Sequence, residues 1–231
     1  MGTRLRETIG SSQKTMANVG DEPFLSKVLR YLKAQGFRRV ILATGYRGDQ
    51  VQEYYRKNNL GLTFEFAHEK EPLGTGGAVK NTEAFVRTSP FFVLNGDCFC
   101  LLSYKDFLQF HRTNKSSATL SVAKIKDSRD YGTILLGPRN SIAGFEEKKD
   151  KPGGGYVNVG AYCFNKEIFG MMPAAQSFSI ERDFFPLLPV KLKERFSAFV
   201  IENEFLDIGT PDRYSKAGEM IRKAQDHGSQ S

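Results

Sequence analysis

The stretch Phe91-Phe92-Val93-Leu94-Asn95-Gly96-Asp97 decides the fold class. Four bulky apolar residues in succession suit a strand buried on both faces. Such strands occur in parallel sheets covered by helices. Asn95-Gly96 is turn chemistry. Asp97 therefore falls just past the carboxyl end of the strand, where open α/β sheets display their functional groups.

The pattern upstream agrees. Residues 39–44 (RVILAT) and 62–67 read as further buried strands, and 90–95 as the strand just quoted. Helical spacing fills the gaps. Residues 23–35 carry Phe24, Leu25, Val28, Leu29 and Leu32 and stop at Gly36. Residues 49–58, 76–86 and 104–112 continue the series.

Past residue 115 the grammar changes. Short strands are expected over 118–125, 132–136, 142–148 and 156–164, separated by turns rich in Gly and Pro. A helix over 211–225 opens on Pro211, and a polar tail over 226–231 is expected to fray. The expected fold is α/β: a Rossmann-like, mixed, mostly parallel sheet with a small α+β lobe. One domain is expected over 1–231, with halves at 1–115 and 116–210 and a closing helix and tail at 211–231. Residues 2–20 read as a polar loop, so the first clear element is a helix. A doubly wound domain usually begins with a strand instead.

Composition excludes several classes. The chain has 231 residues, 40% hydrophobic and 26% charged, which is globular composition. No run approaches the roughly 20 apolar residues of a membrane span. Residues 1–17 lack the apolar centre of a signal peptide, so a cytoplasmic setting and no membrane partner are expected. Three cysteines are too few for a disulfide framework, and Cys98-x-Cys100 alone does not make a zinc site. The net charge is +7, which favours an anionic partner. The basic residues are scattered, without the aromatic interleaving of a nucleic-acid surface, so no nucleic acid is expected.

Candidate chemistry sits in a few places. Phe205-Leu206-Asp207-Ile208-Gly209-Thr210-Pro211 again ends an apolar stretch with an acid and a glycine. Asp97 and Asp207 are 207 − 97 = 110 residues apart and could share one hard cation if their strand ends meet. Glu71-Pro72-Leu73-Gly74-Thr75-Gly76-Gly77-Ala78 follows a strand and opens a helix. Its glycines would let backbone approach a ligand, and a helix N-terminus favours anions. Each feature also has a plain structural reading. Asp97 suits a helix cap or a turn, and the glycines suit a tight turn. The basic N-terminus suits a solvated tail, and Glu146–Lys149 a solvated charge run.

The combination is more specific than its parts. In order stand GTRLR at 2–6, Lys14-x-Met16 with PFL at 23–25, PLGTGGA at 72–78 and LNGD at 94–97. Phe145-x-Glu147-Lys148, Asn158-x-Gly160-x-Tyr162 and DIGTP at 207–211 follow. This series resembles the sugar-1-phosphate nucleotidylyltransferase family over essentially the whole chain. Within the family, EKEPLGTGGA at 69–78, DYGT at 130–133 and SIE at 179–181 look like the heptose 1-phosphate guanylyltransferase branch.

The resemblance implies the nucleotide-diphospho-sugar transferase fold, with a nucleotide-binding first half and a sugar-binding second half. It implies a reaction joining a nucleoside triphosphate to a sugar 1-phosphate, with release of pyrophosphate, and leaves homo-oligomerisation open. Asp97 and Asp207 would hold Mg²⁺. Arg4 and Lys14 would be the catalytic cations. Gly2, Thr3, Arg4, Lys14, Glu69, Gly74 and Thr75 would bind the nucleotide. Gly132, Glu147, Lys148, Asn158 and Gly160 would line the sugar pocket. Glu69 stands near the position where thymidylyl and uridylyl members carry Gln. A carboxylate only accepts hydrogen bonds, which suits the adjacent donors of guanine and so GTP.

Two departures from the family pattern stand out. The opening strand and Gly-Gly step have no counterpart before Gly2, and Gln13 replaces the usual Pro before Lys14. The readings set against a guanylyltransferase are a non-catalytic or truncated relative that binds sugar phosphate, a mannose-1-phosphate guanylyltransferase and a uridylyltransferase.

Overall fold

A computed structural model of the protein describes residues 13–129, 131–147, 153–202 and 205–228, the last without side chains beyond 222. The chain folds as two compact units interleaved in sequence. One comprises the described residues of Met1–His68 and Glu204–Ser231 together with Asn95–Leu101. The other comprises the described residues of Glu69–Leu94 and Leu102–Asn203. This division runs along different lines from halves at 1–115 and 116–210. The cause is strand pairing: residues 91–94 join the sheet of the later strands.

The first unit opens with a 3₁₀ turn at Lys14–Met16 and a short antiparallel pair, β1 (Asn18–Val19) and β2 (Glu22–Pro23). Helix α1 (Phe24–Ala34) buries Phe24, Leu25, Val28, Leu29 and Leu32. Strand β3 (Arg39–Thr44), helix α2 (Gly48–Lys57) and strand β4 (Thr63–His68) form a βαβ unit, with β3 and β4 parallel and in register from Arg39–Thr63 to Thr44–His68. Among the described residues β3 pairs with β4 alone. The Ser26 and Tyr55 hydroxyls satisfy each other at 2.9 Å between α1 and α2.

The second unit holds helix α3 (Gly74–Asn81) and β5 (Phe91–Leu94). Strand β6 (Cys98–Cys100) returns to the first unit before helix α4 (Tyr104–Thr113). Strands β7 (Ala118–Ile125), β8 (Thr133–Leu136), β9 (Ile142–Glu146) and β10 (Gly155–Phe164) follow, then helix α5 (Leu188–Leu192) and β11 (Phe196–Ile201). The sheet order is β11-β7-β10-β8-β9, with β5 also on β10. This mixed sheet has β11 parallel to β7 and its other ladders antiparallel. The long strand β10 carries it: Ala161–Phe164 pair with β5, while Tyr156 pairs with Ile134 of β8. Phe91 stacks on Phe169 and Phe92 meets Tyr104 and Phe107, so the strand that set the fold class is tied in by aromatic contacts.

Strand β12 (Phe205–Asp207) and helix α6 (Pro211–Gly228) close the first unit. The helix runs three residues beyond the expected 225, so the polar composition of that stretch did not end it.

Beneath α4 lies a buried polar ring. The Asn165 amide donates to the Ser116 carbonyl at 3.0 Å, which fixes its Oδ1 as an acceptor. His111 Nε2–H then donates to Asn165 Oδ1 at 3.2 Å, and His111 Nδ1 accepts the Thr119 hydroxyl at 2.7 Å. Ser197 links Thr119 to Ser116. Burial lowers the His111 pKa and holds the ring neutral. The unfolded chain binds this proton at about pH 6.5 and the folded one only lower, so the contribution is complete above that pH and is lost as pH falls. The unfolding free energy from urea denaturation should drop between pH 6.5 and 5.5, by up to about 1.4 kcal/mol per pH unit from this residue. His111→Gln should flatten that slope. An equal slope in wild type and variant would contradict the assignment.

Candidate functional site

The sequence places Asp97 in the turn after β5, and the structure then pairs β6 with β12 antiparallel, Asp207 facing Cys98. The Ile208 N–H donates to the Asp97 carbonyl at 3.0 Å and extends this ladder by one residue. Two acids far apart in sequence thus stand on neighbouring backbones. Lys14 reaches the first of them: its Nζ lies 2.6 Å from Asp97 Oδ2, with both side chains half-buried.

The local chemistry of Asp207-Ile208-Gly209-Thr210-Pro211 explains the second acid's position. Asp207 Oδ1 accepts the Gly209 N–H at 2.9 Å, closing an Asx turn. Thr210 Oγ1 caps α6 by accepting the Arg213 N–H at 3.3 Å, with Pro211 at the first helical position. The Arg213 guanidinium then reaches back to Asp207 Oδ2 at 2.7 Å. A Cβ on Gly209 would stand 2.6 Å from Asp207 Oδ1 and 3.7 Å from Lys14 Nζ, so glycine keeps that shared space open. Arg213 was not apparent from the sequence as a site residue. Its signal is the spacing of one turn past a Thr-Pro helix start.

Among the described residues no group of three or more His, Cys, Asp or Glu could hold a metal. Two carboxylates, Asp97 and Asp207, are hard oxygen donors. That set suits Mg²⁺, which is usually bound by one or two carboxylates plus substrate phosphates and waters. The cysteines offer no alternative: Cys100 and Cys163 are buried, and burial pushes the thiol of each up to about 12.

The second unit holds the remaining described site residues. Glu69 follows β4, and its Oε2 accepts the Leu73 N–H at 3.1 Å, closing the turn into α3. The glycines after it have a partner the sequence did not disclose. The Phe178 carbonyl accepts the N–H groups of Gly76 at 2.9 Å and Gly77 at 3.3 Å, and Phe178 N–H donates to the Leu73 carbonyl. A Cβ on Gly76 would lie 2.1 Å from the Phe178 ring, and one on Gly77 2.4 Å from the Gln176 carbonyl. The expectation that these glycines and this helix terminus serve an anion is corrected at Gly76 and Gly77. Their N–H groups are spent on Phe178, and their missing side chains admit residues 176–178. Gly74 and Thr75 are exposed.

Asn158 and Gly160 sit in a bulge of β10, where the register against β7 shifts between Asn158 and Tyr162. Gly160 takes φ +84°, and its N–H donates to Asn158 Oδ1 at 2.9 Å. Ala161, out of register with β7, gives its N–H to the Ser121 hydroxyl and accepts that hydroxyl's proton at its carbonyl. Gly132 precedes β8, and a Cβ there would meet the Glu146 carbonyl at 3.2 Å. Glu147 is exposed at the end of β9. Gly2, Thr3, Arg4 and Lys148 lie outside the described residues.

The nucleotidyl transferase family model matches residues 1–224. The chain belongs to the nucleotidyl transferase family. This nucleotidyl transferase is 37% identical to a D-glycero-alpha-D-manno-heptose 1-phosphate guanylyltransferase of Campylobacter jejuni, over 93% of each chain. It is 36% identical to the enzyme of that name from Aneurinibacillus thermoaerophilus, over 96% of this chain and 95% of that one. A mannose-1-phosphate guanylyltransferase of Mycobacterium tuberculosis is 30% identical, over 96% of this chain and 62% of the relative. Among solved structures, HddC from Yersinia pseudotuberculosis superposes with a TM-score of 0.82 at 36% identity, over 95% of this chain and 94% of that one. HddC was also solved complexed with GMP-PN. These likenesses agree with the family, fold and guanylyltransferase branch expected from the motifs. Among its described residues no helix is long and apolar enough to cross a membrane.

Gly76→Ala should destabilise the nucleotidyl transferase by about 1–3 kcal/mol, since its methyl must displace a buried ring. Urea unfolding measures this. A loss under about 0.5 kcal/mol, ordinary for a surface change, would contradict the packing role.

Proposed function

We propose that the protein is a sugar-1-phosphate guanylyltransferase, joining GTP to a sugar 1-phosphate to give a GDP-sugar and pyrophosphate. The observation that carries this reading is the Lys14–Asp97 ion pair on the backbone next to that of Asp207, in a member of this family. The heptose 1-phosphate guanylyltransferases among its relatives support D-glycero-α-D-manno-heptose 1-phosphate as the sugar, and the mannose enzymes make mannose 1-phosphate the competing one. The product would feed the assembly of surface glycans. The reading has the enzyme work in the cytoplasm, where nucleoside triphosphates are made.

The chemistry asks little of the side chains beyond placement. A sugar phosphate oxygen attacks the α-phosphorus, a new P–O bond forms, and the bond to the β-phosphate breaks. The electron pair leaves with pyrophosphate. The attacking oxygen is already anionic, so no general base is needed. The task is to hold two polyanions together and offset their repulsion. Lys14 supplies positive charge beside the acids, with Arg4 assigned the same task on the triphosphate. Asp97 and Asp207 would hold Mg²⁺, which supplies further charge neutralisation to the phosphates when bound. Gly74 and Thr75 are assigned to the nucleotide. Gly132, Glu147, Lys148, Asn158 and Gly160 are assigned to the sugar phosphate.

Glu69 is assigned to the base. One of its oxygens is engaged by Leu73, which leaves the other to accept from guanine. A Gln can keep the Leu73 bond through its carbonyl, and then presents a donor where guanine needs an acceptor.

Pyrophosphate release over a panel of nucleoside triphosphates and sugar 1-phosphates tests the reading. GTP with the heptose 1-phosphate should be fastest. UTP or dTTP turning over faster would overturn the guanine assignment, and no release with any pair would favour a non-catalytic relative. Glu69→Gln should shift the GTP-over-UTP preference by about 1–3 kcal/mol, the cost of leaving a hydrogen-bonding group at the base unpaired. An unshifted preference would remove Glu69 from base recognition.

A further inference from the structure

The Gly74–Gly77 loop is held from one side by a short segment with no assigned role. Residues Ile180–Phe184 form a π-helical turn, a rare geometry that recurs at functional sites. Glu181 lies within it. Its Oε2 accepts the Thr75 hydroxyl at 2.7 Å and the Ser179 hydroxyl at 2.9 Å. Thr75 Oγ1 in turn accepts the Ile180 N–H at 2.9 Å. The turn is itself braced: Ser179 Oγ caps the Arg182 N–H, and Asp183 Oδ2 accepts the Ser179 N–H at 2.7 Å. Immediately upstream, Phe178 takes the N–H groups of Gly76 and Gly77.

The Thr75 hydroxyl therefore has its only proton on Glu181 and a lone pair on Ile180. Its side chain is committed to the π-turn. What Thr75 and Gly74 offer a ligand is backbone, and the orientation of that backbone depends on Glu181. We infer that Glu181 is a positioning residue for the Gly74–Thr75 backbone, setting its affinity for the nucleotide through the Thr75 hydroxyl. The inference rests on the guanylyltransferase reading for its consequence, and on the hydrogen bonds alone for the clamp.

Both hydroxyls converge on one oxygen of Glu181. An amide supplies one such oxygen and removes the charge, so Glu181→Gln should keep the clamp and Glu181→Ala should lose it. Thr75→Val should lose it as well. Three readouts separate the outcomes. Amide hydrogen exchange over residues 73–80 in the ligand-free protein reads the clamp without any reaction. Calorimetric titration with a non-hydrolysable GTP analogue reads its consequence. Thermal unfolding reads general damage.

Glu181→Ala and Thr75→Val should speed exchange in this loop and weaken the analogue on the order of 10- to 100-fold, the scale set by small misplacements at a site. Glu181→Gln should stay near wild type in both. Faster exchange with unchanged affinity, or equal loss in Glu181→Gln and Glu181→Ala, would overturn the proposal. So would unchanged exchange in Glu181→Ala. A wild-type protein that binds the analogue but makes no GDP-sugar would contradict the functional reading and leave this one standing.

Discussion

The antiparallel pairing of Cys98–Cys100 with Phe205–Asp207 sets where both acids stand. It is three residues long, so its register carries unusual weight. A slip of one residue would turn Asp207 to the opposite face. Several weak devices hold that register together. The Ile208 N–H caps the ladder on the Asp97 carbonyl, the Asx turn at Gly209 fixes the Asp207 carboxylate, and Thr210-Pro211 starts α6 so that Arg213 returns to it. Lys14 and Arg213 then balance the two negative charges that this pairing brings together. Without such cations, neighbouring half-buried carboxylates would repel each other.

A second constraint acts at the other assigned loop. Residues 74–77 can approach 176–178 only because three of the four are glycine, and the approach consumes N–H groups that a helix start leaves unpaired. The sequence signal of a glycine-rich helix start is thus satisfied from within the protein at Gly76 and Gly77. A pattern that looks built for a ligand was in part built for Phe178. The exposed pair, Gly74 and Thr75, is left as the surface this loop can offer.

What could be read from the sequence follows the range of the interactions. β3, β7 and α4 were placed within a residue at each end, because periodicity and flanking turns are local. Asp97 and Asp207 were legible as acids at strand ends, since an apolar run followed by Asp and Gly is a short-range signal. Their pairing is long-range, and only the family resemblance pointed to it. The bulge at Asn158–Tyr162 is a shift of β10 against β7, and where β10 changes partners from β8 to β5 is a long-range matter that Asn158-Val159-Gly160 does not spell out. Glu181 stood in a stretch singled out only as branch-like, and its partner Thr75 lies 106 residues upstream. Arg213 read as one more charge on a helix with many.

In the proposed reaction Asp97 and Asp207 would act as one unit. The direct measurement is kcat for GDP-sugar formation in Asp97→Asn, Asp207→Asn and the double variant, with folding checked by thermal unfolding. Each single change should lower kcat by at least about 100-fold, and the double should be little worse than either single, as for residues that act together. A single variant keeping more than about a tenth of the wild-type rate, or losses that multiply in the double, would contradict it.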